Sequence, residues 1–205
     1  MRMGDVLQEP GHPIGYAFFP TTAILSLLNV MEDGAATGVA VVGCEGLVGV
    51  SLFMGEGISA HRCVVHSAGQ GFRMKAQCLR DEFACAGPMQ RFLLRYTQAL
   101  LTQMAQTAVC NRHHSVDQQL CRWLLLNLDR LGSNRLEMTQ ELIAHILGVR
   151  REGVTEAAGN LQRAGLIEYH RGHITVIDRP GLEARTCECY ALLRSEYDRL
   201  LPKPS

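Results

Sequence analysis

The stretch TQELIAHILGVRREGVTEAAGNLQRAGLIEYHRGHITVI, residues 139–177, decides how the chain is built. Thr139 is placed to cap a helix whose apolar residues Leu142, Ile143, Ile146 and Leu147 share one face. Gly148 stands where a residue with positive φ would end that helix, and Val149 follows as a plug between helices. A second helix over 150–164 buries Val154, Ala157, Ala158 and Leu161 at spacings of three and four, and Gly165 closes it. Residues 166–177 then read as two short strands about a turn at Arg171-Gly172. Helix, tight glycine turn, helix and short basic hairpin, in that order, form a winged helix-turn-helix pattern.

The polar residues of this pattern cluster where a nucleic acid could meet them. Arg150, Arg151, Glu152, Thr155 and Glu156 open the second helix. A helix entering the major groove by its N-terminal end offers those side chains to base edges. Arginine can pair bidentately with guanine, and a carboxylate can accept from the cytosine amino group, so Arg151, Glu152, Thr155 and Glu156 are the expected base readers. Thr139, Gln140 and Arg150, with His170, Arg171 and His173 on the hairpin, are the expected phosphate contacts. A winged helix used only for protein contacts is the alternative; the polar helix start and the basic hairpin weigh against it.

Upstream, Ser115 with Gln118 three residues on reads as a capping box, opening a helix that carries Val116, Leu120, Trp123, Leu124 and Leu128 and stops by Gly132. Residues 133–138 read as a short polar connection. Before it, from Pro88, apolar positions recur at helical spacing. One stripe is Leu94, Thr97, Leu101, Met104 and Ala108; another is Leu93, Tyr96 and Leu100. Between Arg95 and Arg112 no side chain is charged. A helix that is neutral all round must be covered on most sides, so the first stripe is expected to be a homodimer seam. A central helix inside a monomer core is the competing reading.

The N-terminal part, to about residue 86, is expected to be β-structure. Candidate strands lie at 16–19, 23–31, 37–42, 47–53, 61–66 and 70–74, separated by Glu32-Asp33-Gly34 and by further glycine-bearing breaks. Many short strands at close spacing suggest a small antiparallel barrel or roll. The fold class is therefore α+β: an antiparallel β-roll of the jelly-roll kind over 1–87, a long dimerisation helix over 88–112, and a winged helix-turn-helix over 113–205. A last helix is expected over 180–200, and the 202–205 tail is expected to fray.

Composition bounds the function loosely. Net charge is zero, so nothing in the overall balance argues for a nucleic-acid partner. No apolar run is long enough to span a bilayer, and residues 1–5 have no apolar leader core, so no membrane partner and a cytoplasmic location are expected. The eight cysteines are scattered with no Cys-x-x-Cys pair, which suits reduced thiols. Cys187-x-Cys189 and His170-x-x-His173 have no matching second pair at structural-zinc spacing, so no metal is expected; one cysteine of the first pair is expected in the core and the other at the surface. His113-His114 reads as a solvated hinge, with a pH- or metal-linked joint as the sharper alternative. There is no G-x-S-x-G, Walker loop or H-E-x-x-H, and no enzyme activity is expected.

Taken together, these stretches resemble the Crp/Fnr family of bacterial regulators over nearly the whole length. The matching segments are Gly4-Asp-Val-Leu, residues 46–53, Ser59-Ala60, the helix from Pro88, and residues 139–177. The resemblance implies a cyclic-nucleotide-binding-like roll, a dimerisation helix and a DNA-binding winged helix-turn-helix acting on a palindromic site, with RNA polymerase as a further partner if the protein activates. It implies base reading by Arg151 and Glu152, phosphate proximity for Thr139, Arg150 and His173, and an effector pocket around Gly49, Val50, Ser59 and Ala60. Members that sense cyclic AMP have a further base-reading arginine where Glu156 stands. They also need a glutamate after a glycine and an arginine before Ser-Ala, where this chain has Val50 and Ile58. Met104 and Ala105 stand where those members hold adenine with hydroxyls. The N-terminal cysteine cluster of iron–sulfur members is missing. No cofactor is expected, and any small-molecule effector is expected to differ from cyclic AMP. A sensor-type dimer that acts through protein contacts without DNA is the second functional reading.

Overall fold

The computed structural model describes residues 1–201; the 202–205 tail lies outside the described residues. The strands β1 (Val6–Gln8), β2 (Tyr16–Pro20), β3 (Ile24–Val30) and β4 (Ala36–Val42) are followed by a single helical turn, α1 (Ser51–Met54). Then come β5 (Arg62–Ser67), β6 (Gly71–Lys75) and α2 (Ala76–Ala84). One antiparallel sheet runs β1-β5-β3-β4, and β2 pairs with β6 in a second. Leu25, Leu27, Val42, Val65 and Ala17, drawn from both sheets, share one core with Leu47 and Leu52. The turn after β3 is made at residues 31–35, where Asp33 Oδ1 accepts from the Ala35 amide at 2.9 Å.

Two stretches expected as β-structure are helical. The strand expected over 47–53 gives way at Ser51 to α1, and β-structure ends at Lys75 rather than near residue 86. In α2, Ala76 and Leu79 are buried and Phe83 is half-buried, a stripe at helical spacing that stacks Phe83 on Phe53 at 4.9 Å between ring centroids.

The long helix α3 (Pro88–His113) has Pro at its first position and Gly87 as cap. Its inner side buries Leu93, Tyr96 and Leu100 against the roll, and the Tyr96 hydroxyl donates to the Leu47 carbonyl at 2.9 Å. Ser115 caps α4 (Val116–Leu128) in a capping box with Gln118. The polar connection expected at 133–138 holds a third strand of the hairpin sheet, β7 (Arg135–Glu137), because Leu136 gains a buried place opposite Ile174. After it come α5 (Gln140–Leu147), α6 (Arg151–Arg163), β8 (Ile167–His170) and β9 (His173–Val176), with sheet order β7-β9-β8. The last helix is broken in two, α7 (Arg179–Arg185) and α8 (Glu188–Leu200). Asp178 caps the first, the chain extends at Thr186, and Cys187 caps the second.

The four-stranded sheet is buried on both faces. Its second face carries Ile24, Leu28 and Val41, which share a core with Trp123, Leu124, Ile146 and Leu147 of the C-terminal half. This explains why β3 reads as a near-continuous apolar run rather than an alternating one. The polar centre of the contact is His66, fully buried. Its Nδ1 meets Ser26 Oγ at 2.6 Å and its Nε2 meets Asn127 Oδ1 at 2.7 Å. Burial pushes the imidazole down to about 4, against the hydrogen bond to Asn127 that favours the charged ring, with a smaller downward push from Arg130.

Because the folded-state value lies below the unfolded 6.5, the stabilisation is complete above pH 6.5 and is lost as pH falls toward 4. At the low end the loss approaches about 3 kcal/mol. Urea unfolding across this range is expected to show falling stability toward acid, and a His66→Gln variant is expected to lose less over the same window. Equal slopes in both chains would show that His66 is not the source of the acid loss.

Candidate nucleic-acid interface and effector pocket

The helix-turn-helix is set by local chemistry. Thr139 Oγ1 accepts from the Leu142 amide at 3.2 Å and so caps α5. Gly148, at φ 67°, ends α5 in the left-handed conformation that its missing side chain permits. Val154, Ala157, Ala158 and Leu161 face inward from α6. That leaves Arg150, Arg151, Glu152, Thr155 and Glu156 exposed at its start. The Thr155 hydroxyl bonds Gln140 Oε1 at 2.8 Å and the Arg151 carbonyl at 3.0 Å, tying the two helices together at this end.

The hairpin β8–β9 turns in two residues, Arg171 at φ 48° and Gly172 at φ 84°, the mirror-type turn that suits the twist of paired strands. His170 lies opposite His173, so His170, Arg171 and His173 form its exposed tip. The Tyr169 hydroxyl donates to the Met138 carbonyl at 2.8 Å and holds the hairpin beside the start of α5. His173 Nδ1 lies 3.8 Å from the exposed Glu137 carboxylate.

On α3, Leu94 and Leu101 are about half exposed and Ala108 is exposed. Thr97 and Met104, expected on the same outward stripe, turn toward the roll instead. Thr97 is buried with its hydroxyl donating to the Leu93 carbonyl at 2.8 Å, and Met104 is half-buried. At 3.6 residues per turn, a line that begins at Leu94 and stays outward continues through Gln98, Leu101, Ala105 and Ala108, all exposed.

Gly49, Val50, Ser59 and Ala60 do come together. They line one cavity of about 150 Å³ between the roll and α3, with Thr97, Leu101 and Met104 on its helical side. Among the described residues no arginine or lysine lines it; its polar groups include Gln8, Ser51, Ser59 and His61, whose imidazole burial pushes down. Among the same residues Gln8 Nε2, a buried donor, finds no partner. The volume is below the ~300 Å³ at which small-molecule sites usually begin.

Sequence reading missed the joint between the halves. The Arg130 guanidinium bonds Glu45 Oε1 at 2.7 Å, the Leu126 carbonyl at 2.6 Å and Gln103 Oε1 at 3.2 Å, and lies over the Tyr197 ring at 5.3 Å. These residues come from four separate segments, and no motif announces them. Sequence reading also missed the partners of Cys187 and Cys189. Both cysteines are buried, because Cys187 caps α8 and Cys189 lies in its first turn. The second pair that the sequence lacked nearby is Cys110 and His114, on and just after α3. Their i, i+4 spacing was the available signal.

Residues 118–185 match the model of the Crp-like helix-turn-helix domain. The solved structure of FixK2 from Bradyrhizobium japonicum is similar over 91% of this chain and 94% of its own, at 16% identity and a TM-score of 0.75. The chain has a Crp/Fnr-type fold with a Crp-like helix-turn-helix domain. A Crp/Fnr-family transcriptional regulator from Thermus thermophilus is similar over 93% of this chain and 96% of its own, at 21% identity and a TM-score of 0.71. The c-di-GMP-responsive regulator CLP of Xanthomonas campestris is similar over 87% of this chain and 92% of its own, at 15% identity and a TM-score of 0.69. No curated protein matches the sequence. Among the described residues no helix is long and apolar enough to cross a membrane.

The turn of this Crp-like domain is also where it touches the roll. A Cβ on Gly148 would stand 2.8 Å from Thr37 Cγ2, whereas one on Gly159, inside α6, would meet nothing within 4 Å. Gly148→Ala is therefore expected to destabilise the protein by at least about 1 kcal/mol, from the left-handed backbone alone. Gly159→Ala is expected to be neutral or stabilising by up to about 1 kcal/mol. Denaturant midpoints of the two variants check this ordering, and the reverse order would contradict it.

Proposed function

We propose that this protein is a homodimeric transcription regulator that reads a palindromic DNA site with the N-terminal end of α6 and answers to a small molecule other than cyclic AMP. The observation that carries this reading is the exposure of Arg150, Arg151, Glu152, Thr155 and Glu156 at one helix end, beside the exposed hairpin tip His170-Arg171. Arg151 and Glu152 read base edges, with Thr155 and Glu156 alongside. Thr139, Gln140, Arg150, His170, Arg171 and His173 set the register on phosphates. The protein works in the cytoplasm, and RNA polymerase is a partner if it activates.

Dimerisation runs along the outward line of α3, where Leu94 and Leu101 are each about half exposed and Ala108 is exposed. Such a line, on a helix with no charged side chain between Arg95 and Arg112, is what a second copy would cover. A two-fold dimer then presents two α6 helices to major grooves about one helical turn apart.

The cavity under α3 suits a small, uncharged or weakly polar effector. A cyclic phosphate would need a cationic partner there, and the lining has none. Leu101 lines the cavity and also stands on the outward line, so an occupant would press on the dimer seam and bias one dimer arrangement over another. A sensor acting only through protein contacts would leave the exposed arginines of α6 without a role.

Two variants test this reading. On a duplex carrying the selected site, Arg151→Ala is expected to weaken binding by about 1–3 kcal/mol and to relax base preference at one position of each half-site. Unchanged preference would remove α6 from the readout. Leu101→Glu is expected to sediment as a monomer at micromolar concentration, and an unchanged dimer mass would place the seam elsewhere.

A further inference from the structure

Four donors that DNA reading does not use meet where the long helix ends and the last helix begins. Cys110 lies in the last turn of α3, His114 follows that helix as its C-cap, Cys187 caps α8 and Cys189 lies in the first turn of α8. One donor atom from each residue falls within 4.8 Å of all the others. Cys110 Sγ is 3.6 Å from Cys187 Sγ, and Cys189 Sγ is 3.5 Å from His114 Nδ1.

These two separations match the edges of a coordination tetrahedron. Zinc–sulfur bonds of ~2.3 Å and zinc–nitrogen bonds of ~2.0 Å at tetrahedral angles give sulfur–sulfur edges of about 3.8 Å and sulfur–nitrogen edges of about 3.5 Å. A disulfide would bring two sulfurs to ~2.05 Å, so the thiols here are unbonded neighbours. We propose that Cys110, His114, Cys187 and Cys189 form a four-ligand Zn²⁺ site that fastens the winged helix-turn-helix domain to the long helix.

The surroundings fit that ion. Glu188 Oε2 lies 3.4 Å from His114 Nε2, the ring nitrogen turned away from the cysteines. A carboxylate behind a histidine in this way fixes the ring for metal binding. Gln106 Nε2 donates to Cys189 Sγ at 3.0 Å, as an outer donor does to a thiolate. Arg122 is only 4% exposed, yet among the described residues it has no carboxylate partner and its Nε is unsatisfied. Its Nη1 donates to Thr107 Oγ1 at 3.3 Å, one helical turn before Cys110 on α3. Three thiolates around a dication carry one net negative charge, which would offset that buried guanidinium. A surface groove lined by Thr186, Cys187 and Glu188 provides the way in.

Thiolate and imidazole ligands select zinc over magnesium or calcium, and four protein ligands leave no open position for catalysis. Binding expels the thiol protons to solvent, so affinity rises with pH. Because the ligands come from two helices on either side of the hinge, occupancy sets how firmly the domain is seated on α3. The zinc site stands independently of DNA reading and can fail or hold without it.

The full-length protein, reduced and stripped by a chelator, is titrated with Zn²⁺ against a chromophoric indicator and separately with Co²⁺. The expected result is one equivalent per chain, with the intense visible bands and thiolate charge-transfer absorption of tetrahedral cobalt. Cys189→Ser is expected to weaken zinc binding at least ~100-fold, and the exposed Glu188→Gln by about 10-fold, without loss of secondary structure. Weak, octahedral-type cobalt bands, substoichiometric zinc, or unchanged affinity in Cys189→Ser would overturn the site. So would a stripped wild-type chain that takes up no zinc but forms a Cys110–Cys187 disulfide under mild oxidation. The cobalt spectrum of the wild-type chain decides the matter even if the cysteine variant does not fold.

Discussion

The buried pairing of Arg130 with Glu45 is the constraint on which the arrangement of the two halves rests. Side chains that deep lose much of their hydration, and only a full set of partners offsets the loss. Arg130 has such a set: a carboxylate from the loop after β4, a carbonyl from α4, and the amide of Gln103 on α3. Glu45 in turn accepts from the Gly43 amide, and Gln103 donates to the Val41 carbonyl. Removing either charge would leave the other without its partner in a partly desolvated place. Roll, long helix, α4 and α8 are thereby held in one mutual setting.

That setting shapes what the helix-turn-helix half presents to solvent. With the outer sheet face occupied by α4 and α5, the free side of the domain is the one that carries the start of α6 and the hairpin tip. His66 and Asn127 add a neutral, fully satisfied hydrogen-bonded centre to the same contact. The roll and the helix-turn-helix half therefore meet across a packed, polar-registered surface rather than a loose tether. The second link is α3 itself, whose inner side lines the small cavity while its outer side is bare.

Most of the C-terminal half was legible because its signals are local. A threonine cap, a left-handed glycine, a two-residue turn and apolar spacing of three and four each depend on near neighbours. The roll was legible in outline, but α1 and α2 were hidden: short apolar runs such as Leu47 to Phe53 suit strand and helix alike. On α3 the expected stripe turned inward at Thr97 and Met104, because a step of three stops about 60° short of a full turn, on the roll side, whereas a step of four passes it by about 40° and stays exposed at Gln98 and Ala105. What could not be read is what distant residues do together. Arg130 and Glu45 lie far apart in the chain, as do Cys110 and Cys187, and only the break between α7 and α8 turns both Cys187 and Cys189 inward.

The reading that most depends on all of this is sequence-specific binding by a symmetric pair of exposed helix ends. Selection from a pool of random duplexes by the full-length protein tests it most directly. An enriched inverted repeat, with half-sites about one helical turn apart, is the outcome that follows from two α6 helices on a two-fold dimer. A pool that stays indistinguishable from its input through repeated rounds, at low salt and with zinc present or absent, would contradict it.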